Sequence, residues 1–268
     1  MVRRAVVAGM FYPADSEKLI NQIKSFVSDI SEKKIVKGLI SPHAGYVYSG
    51  SCSGKGFSRI QVPDRVIILG VDHHGYGSKM SVDSNEEWET PLGKIDVDID
   101  FIEELIENSE LFRKSRAGDA EHSIEVQIPF IQFINDSAKI VPILVSTYDR
   151  GEMSLSAEIL ASAIKKQKSG SDTLIIASTD MSHYISAEEA EIEDSEVMKK
   201  IEKLDPDGML DVVISRRVSM CGAAPVYTML KTVKSLGATN CEIVEYTNSG
   251  KVSGDYGQVV GYMSAVVS

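Results

Sequence analysis

Short runs of β-branched and leucine side chains alternate along this chain with longer stretches whose apolar positions repeat at helical spacing. The clearest run is RVIILGV, Arg65 to Val71. An unbroken apolar run of that kind predicts a strand buried on both faces, as in a parallel sheet, because alternation is needed only where one face meets water. The same pattern predicts strands at Ile35 to Ser41, Lys139 to Ser146 and Thr173 to Ser178, and in the closing segments CEIVEYT and QVVGYMSAVV. Leu19, Ile20, Ile23, Phe26, Val27 and Ile30 have helical spacing, with Asp15 or Ser16 in place to cap them. Further helices are expected at Ser51 to Ile60, Asp100 to Glu107, Ser154 to Lys168, Ala187 to Leu204 and Pro206 to Ile214, and through Tyr227, Leu230 and Val233. Ile124, Ile128 and Ile131 predict one more, opening near Asp119 and His122. Met80 to Val97, turning around Pro91-Leu92-Gly93, reads as an antiparallel hairpin. Alternation of strands and helices from end to end implies one α/β domain over residues 1–268, a mostly parallel central sheet flanked by helices.

Composition narrows the function classes. The chain carries 39 acidic against 28 basic residues, a formal charge of −11, with no basic block. Nucleic acid is not expected as a partner, because phosphate binding is driven by clustered positive charge. No stretch approaches the roughly 20 apolar residues of a membrane span, so no membrane association is expected. The opening MVRRAVVAGMFYP turns polar too early for a signal peptide, and a cytoplasmic location is expected. Three widely spaced cysteines, Cys52, Cys221 and Cys241, do not form a disulfide framework.

The candidate chemistry lies where strands end. In open α/β sheets ligands bind outside the carboxyl ends of the strands. The five histidines are His43, His73, His74, His122 and His183, and all but His122 follow a predicted strand. Each alone could be a satisfied polar residue, but together they suit a shared metal site, since imidazole is the commonest metal ligand. His73 and His74 are adjacent and point to opposite faces of an extended segment, so one is a ligand and the other a supporting donor or substrate contact. Asp180 and His183 stand three apart on one turn. They read either as a turn cap or as a carboxylate orienting a general acid/base. His122, at a predicted helix start, would be kept neutral by the positive helix end. Cys221 precedes another helix, which lowers a thiol's pKa, though a small buried hydrophobe is the alternative reading. Cys52 and Cys241 fall in helix and strand interiors.

Seven motifs follow one another along nearly the whole chain: AGMFYP, PHAGYVYSG, ILGVDHHG, TPLG, EHSIEVQIPF, STDMSHY and MCGAAP. In these the chain resembles the Memo family, named for a mediator of cell motility. The resemblance implies a fold similar to that of class III extradiol ring-cleaving dioxygenases, whose non-heme Fe(II) is held by two histidines and a glutamate. Carried over by motif, the metal ligands would be His43, His73 and Cys221. His183 would be the acid/base residue, with Asp180 and His122 lining the pocket and His74 beside it. Cysteine stands where the dioxygenases use a carboxylate, and thiolate is a softer ligand that suits copper or zinc as well as iron. Ring cleavage is therefore not implied by the fold.

Three functions follow as expectations. One is a metal-dependent redox protein with Fe(II) or copper, zinc being a further option. Another is a cysteine-nucleophile hydrolase with His183 as base. The third is a binding or signalling module whose pocket takes a small molecule or a peptide end, as the role attributed to eukaryotic relatives suggests. Oligomeric state is not legible.

Overall fold

The computed structural model describes residues 1–28, 33–166 and 173–268. Strand β1 (Val2–Arg3) leads to helix α1 (Ser16–Phe26), which Asp15 caps by accepting a hydrogen bond from Lys18 N. Val27 is already extended, so the helix ends before its apolar spacing does, and Ile30 lies outside the described residues. Strand β2 (Gly38–Ser41) is shorter than its apolar run, because Ile35 is exposed. Helix α2 (Tyr46–Ser58) starts directly after the histidine loop, well before Ser51. Strand β3 (Arg65–Val71) matches its prediction, and every residue after Arg65 is buried.

Strand β4 (Met80–Asp83) leaves the predicted hairpin and joins the main sheet. The hairpin is β5 (Glu87–Thr90) with β6 (Gly93–Asp96), completed by β1 into a three-stranded sheet. Helix α3 (Ile99–Asn108), capped by Asp98, and strand β7 (Phe112–Ser115) follow. Two 3-10 turns, Ala117–Ala120 and Glu125–Gln127, precede helix α4 (Ile128–Ile134). The helix therefore opens at Ile128 beside Pro129, a proline being tolerated only in the first turn. His122 lies upstream of it, and Asp119 bonds Asn85 and Arg116 instead of capping it.

Strand β8 (Lys139–Val145), helix α5 (Arg150–Lys166) and strand β9 (Thr173–Ser178) form the expected β-α-β unit, with Lys168 outside the described residues. After them come β10 (His183–Ile185), α6 (Ala187–Glu202), α7 (Pro206–Arg216), α8 (Ala223–Ser235), β11 (Cys241–Asn248), α9 (Gly250–Ser253) and β12 (Val259–Val267).

The main sheet runs β10-β12-β2-β9-β3-β8-β4-β7, with β11 also on β12. Its centre, β2-β9-β3-β8, is parallel, but β12 is antiparallel to β2, β10 and β11, and β4 to β8. The centre of the sheet is thus parallel, as expected, and the antiparallel pairings lie to either side of it. Burial on both faces makes an apolar run in either direction, so β12 gives no sequence sign of its orientation. Gly38 meets Met229 of α8, whereas its neighbour Leu39 meets Gly56 of α2. Successive strand residues point to opposite faces, so the two helices cover opposite sides of the sheet. In the central strands Ser41 is in register with Ser178, and Leu69 with Ala177. The loops after β2, β3 and β9 therefore leave one edge at the same level.

Candidate metal centre

These three loops and the start of α8, with Phe11, His122, Tyr184 and Val260, line an open cavity of about 480 Å³. His43, His73, His122, Asp180, His183 and Cys221 all line it. Gly222 brings the fourth wall in: a Cβ there would stand 2.4 Å from Thr179 Cβ and 2.5 Å from Ser178 O, so only glycine allows α8 to begin against the end of β9. Cys221 is thereby set beside the β2 loop, with its Sγ 3.2 Å from His43 Nε2. His43, His73 and Cys221 each offer a donor atom, and the three lie within 4.8 Å of one another.

The two imidazoles have different supports. His73 is held by Glu121, a residue not singled out in the sequence although it adjoins His122. Glu121 Oε2 accepts from His73 N at 2.9 Å, and Oε1 lies 2.9 Å from His73 Nδ1. Oε1 also accepts from the backbone of His122 and Ser123. Burial alone would raise the carboxyl's pKa, yet these hydrogen bonds and the His73 charge hold it at about 2. The carboxylate is ionised, so His73 Nδ1 donates to it and Nε2 is left toward the cavity. Burial acts to lower the pKa of His73, and Glu121 reverses this to a net rise. The fully buried His43 behaves oppositely: burial, then the neighbouring His73, lower it to about 3.

His122 stacks on His73 with ring centroids 4.7 Å apart, and both rings stand nearly perpendicular to His43. Its pKa falls to about 4, through burial first and His43 second. It is neutral as expected, but for a different cause, since no helix begins there.

Asp180 does not orient His183. Its Oδ1 accepts from His43 N at 2.8 Å and Ala44 N at 3.3 Å, tying the β2 loop to β9, and burial raises its pKa. His183 is oriented by Ser219: Nδ1 lies 2.8 Å from Ser219 O, and its N–H donates to Ser219 Oγ. A carbonyl only accepts, so Nδ1 carries the proton and Nε2 remains available in the cavity. The next residue, Tyr184, adopts φ 60° at a bulge in β10, which sends successive side chains the same way, His183 and Tyr184 both onto the cavity. His74 is turned out of the cavity, exposed, with its Nε2 3.2 Å from Ala120 O and its ring stacked on Tyr76.

The Cys221 thiol is pushed up to about 12, by burial first and the Asp180 charge second. The expected lowering by the helix start is outweighed. Sγ nevertheless accepts from Asp180 N at 3.3 Å, a donor that suits a thiolate. Its distance from His43 Nε2 is near the roughly 3.5 Å between nitrogen and sulfur ligands of one tetrahedral ion. The donor set fits a soft or borderline cation, whose charge would ionise the thiol. Cys52 and Cys241 are buried away from the cavity.

No helix among the described residues is long and apolar enough to cross a membrane. Residues 3–266 match the family described as Memo-like protein. A MEMO1 family protein of Methanosarcina mazei is 40% identical over 273 residues, covering 99% of each chain. One from Aquifex aeolicus is 35% identical, covering 99% of this chain and 98% of its own, and one from Thermotoga neapolitana is 37% identical over the whole of both. With a family match and relatives spanning almost every residue, this chain belongs to the Memo-like family.

Proposed function

We propose that this chain is a metal-binding redox protein in which His43, His73 and Cys221 hold one ion, iron or copper, with zinc also compatible with the donors. The observation that carries the reading is the convergence of these three donor atoms within 4.8 Å, brought by three separate segments to one cavity. A bound iron or copper ion would supply electron transfer and Lewis acidity there. The chain's own groups divide the remaining work. His183 accepts or returns a proton at Nε2, held in place by Ser219. His122, neutral and stacked on His73, donates a hydrogen bond to a ligand that gains negative charge. Phe11, Ala44 and Val260 give the cavity an apolar side suited to a small molecule or a peptide end.

The cysteine-nucleophile reading has less support. That reading needs His183 as the base, but the imidazole beside Cys221 Sγ is that of His43, and burial raises the thiol where a nucleophile needs thiolate. The binding-module reading uses the same cavity and is separated by turnover.

The test is elemental analysis of protein purified without added metal and without oxygen, alongside His43→Ala. One iron or copper per wild-type chain, lost in the variant, is expected. A wild-type chain that arrives empty and takes up neither Fe(II), Cu(I) nor Zn(II) would remove the metal reading.

A further inference from the structure

The hydroxyl of Ser178, the last residue of β9, has three hydrogen-bond neighbours. Ser123 O lies 2.6 Å away, Gln127 Nε2 2.9 Å and His43 Nδ1 3.0 Å. Ser178, Ser123 and Gln127 are fully buried, so protein groups alone decide where each proton goes. A peptide carbonyl has no proton to give, so Ser178 must donate its single one to Ser123 O. The orientation of Gln127 is set in the same way. Its amide also lies 2.9 Å from Pro42 O, so the atom between the two must be nitrogen, giving one hydrogen to Pro42 O and the other to Ser178 Oγ. Toward His43, Ser178 Oγ then has only acceptor capacity left. Nδ1 must carry the ring proton, and Nε2 keeps its lone pair facing Cys221 Sγ.

The other end of Gln127 points to the same purpose. Gln127 Oε1 is buried without a hydrogen-bond partner among the described residues. The amide keeps its two donations, to Pro42 O and Ser178 Oγ, at the cost of that unpaired oxygen.

We propose that Ser178, backed by Gln127 and by Ser123 O, is a positioning residue that locks His43 as the Nδ1–H tautomer and aims Nε2 at the ion. This rests on the reading of His43 as a metal ligand. His73 has an ionised carboxylate behind it, whereas His43 has a neutral hydroxyl, so the two imidazoles enter the site with unequal electron donation.

The experiment has two arms. In the metal-free, full-length, 15N-labelled wild-type chain, long-range 1H–15N spectra should show His43 with Nδ1 protonated and Nε2 bare. An Nε2–H ring, or a mixture of tautomers, overturns the proposal. In the second arm Co(II) is titrated and followed by its thiolate charge-transfer absorption. Ser178→Ala should weaken Co(II) about 10–100-fold, with most of the loss recovered in Ser178→Thr, which keeps the hydroxyl. Equal affinity in wild type and Ser178→Ala overturns the positioning role. If Ser178→Ala does not fold, the wild-type tautomer decides. A wild type that binds no Co(II) defeats the metal reading, while the tautomer still decides whether Ser178 sets the ring.

Discussion

Glu121 Oε1 sits 2.9 Å from His73 Nδ1, joining residues 48 apart in the chain, and its carboxylate has almost no exposure. Glu121→Gln should remove the charge that supports His73 while keeping a similar shape. Metal affinity should fall about 10–100-fold, the usual effect of losing such a partner. Competition against a chromophoric chelator measures it, and unchanged affinity would mean that His73 needs no ionic support.

His183→Ala should leave metal stoichiometry nearly intact and abolish any turnover, whereas His43→Ala should lose the metal. Their difference follows from geometry: His43 Nε2 faces Cys221, while His183 is tied to Ser219. Elemental analysis of both variants checks it, and equal metal content would erase the division of roles.

Metal uptake should release about one proton from Cys221, because the thiol is protonated at every pH below about 12 and the ligand is the thiolate. Affinity should therefore rise with pH, by about tenfold per unit from this group. In metal-free protein Cys221 should alkylate slowly at pH 8 although it lines the cavity. Calorimetry in buffers of different ionisation enthalpy counts the protons; the same count in Cys221→Ser would take the sulfur out of the site.

Acid should destabilise the metal-free fold from pH 6.5 downward. His43 and His122 titrate at 6.5 when unfolded but at about 3 and about 4 when folded. Between those values the unfolded chain binds more protons, so stability present above pH 6.5 is lost as pH falls. Each group contributes a slope of at most about 1.4 kcal/mol per pH unit. Urea midpoints from pH 7 to pH 4 should show this, with a shallower slope in His122→Phe. A variant slope equal to wild type would mean that His122 is not held neutral.

Arg3→Ala should cost about 3–5 kcal/mol, because it leaves the Glu125 carboxylate buried without its cation. Glu125 also accepts from Val6 N, Val7 N and Tyr12 OH, anchoring the segment that lays Phe11 against His122. Denaturant unfolding measures the loss, and a cost under about 1 kcal/mol would show the pair to be dispensable.

Local features were legible in the order of residues alone. The apolar run of β3, the stripe and Asp15 cap of α1, and the β-α-β unit follow from side-chain period and turn chemistry, which act over a few neighbouring residues. The motif order likewise pointed to His43, His73, Cys221, His122 and His183, and the structure brings all five to one cavity. Tertiary structure decided what depends on distant partners. His73 faces the cavity and His74 does not, because Glu121 captures one ring and Ala120 O the other. Asp180 binds the His43 loop across 137 residues instead of orienting its near neighbour His183. The Cys221 thiol is raised, because its proximity to a helix start is a local property while burial and the Asp180 charge come from the packed fold. The orientation of β12 and the start of α4 at Ile128 were likewise hidden. Periodicity records which side chains are buried, but not the direction of the strand beside them or the atom they meet.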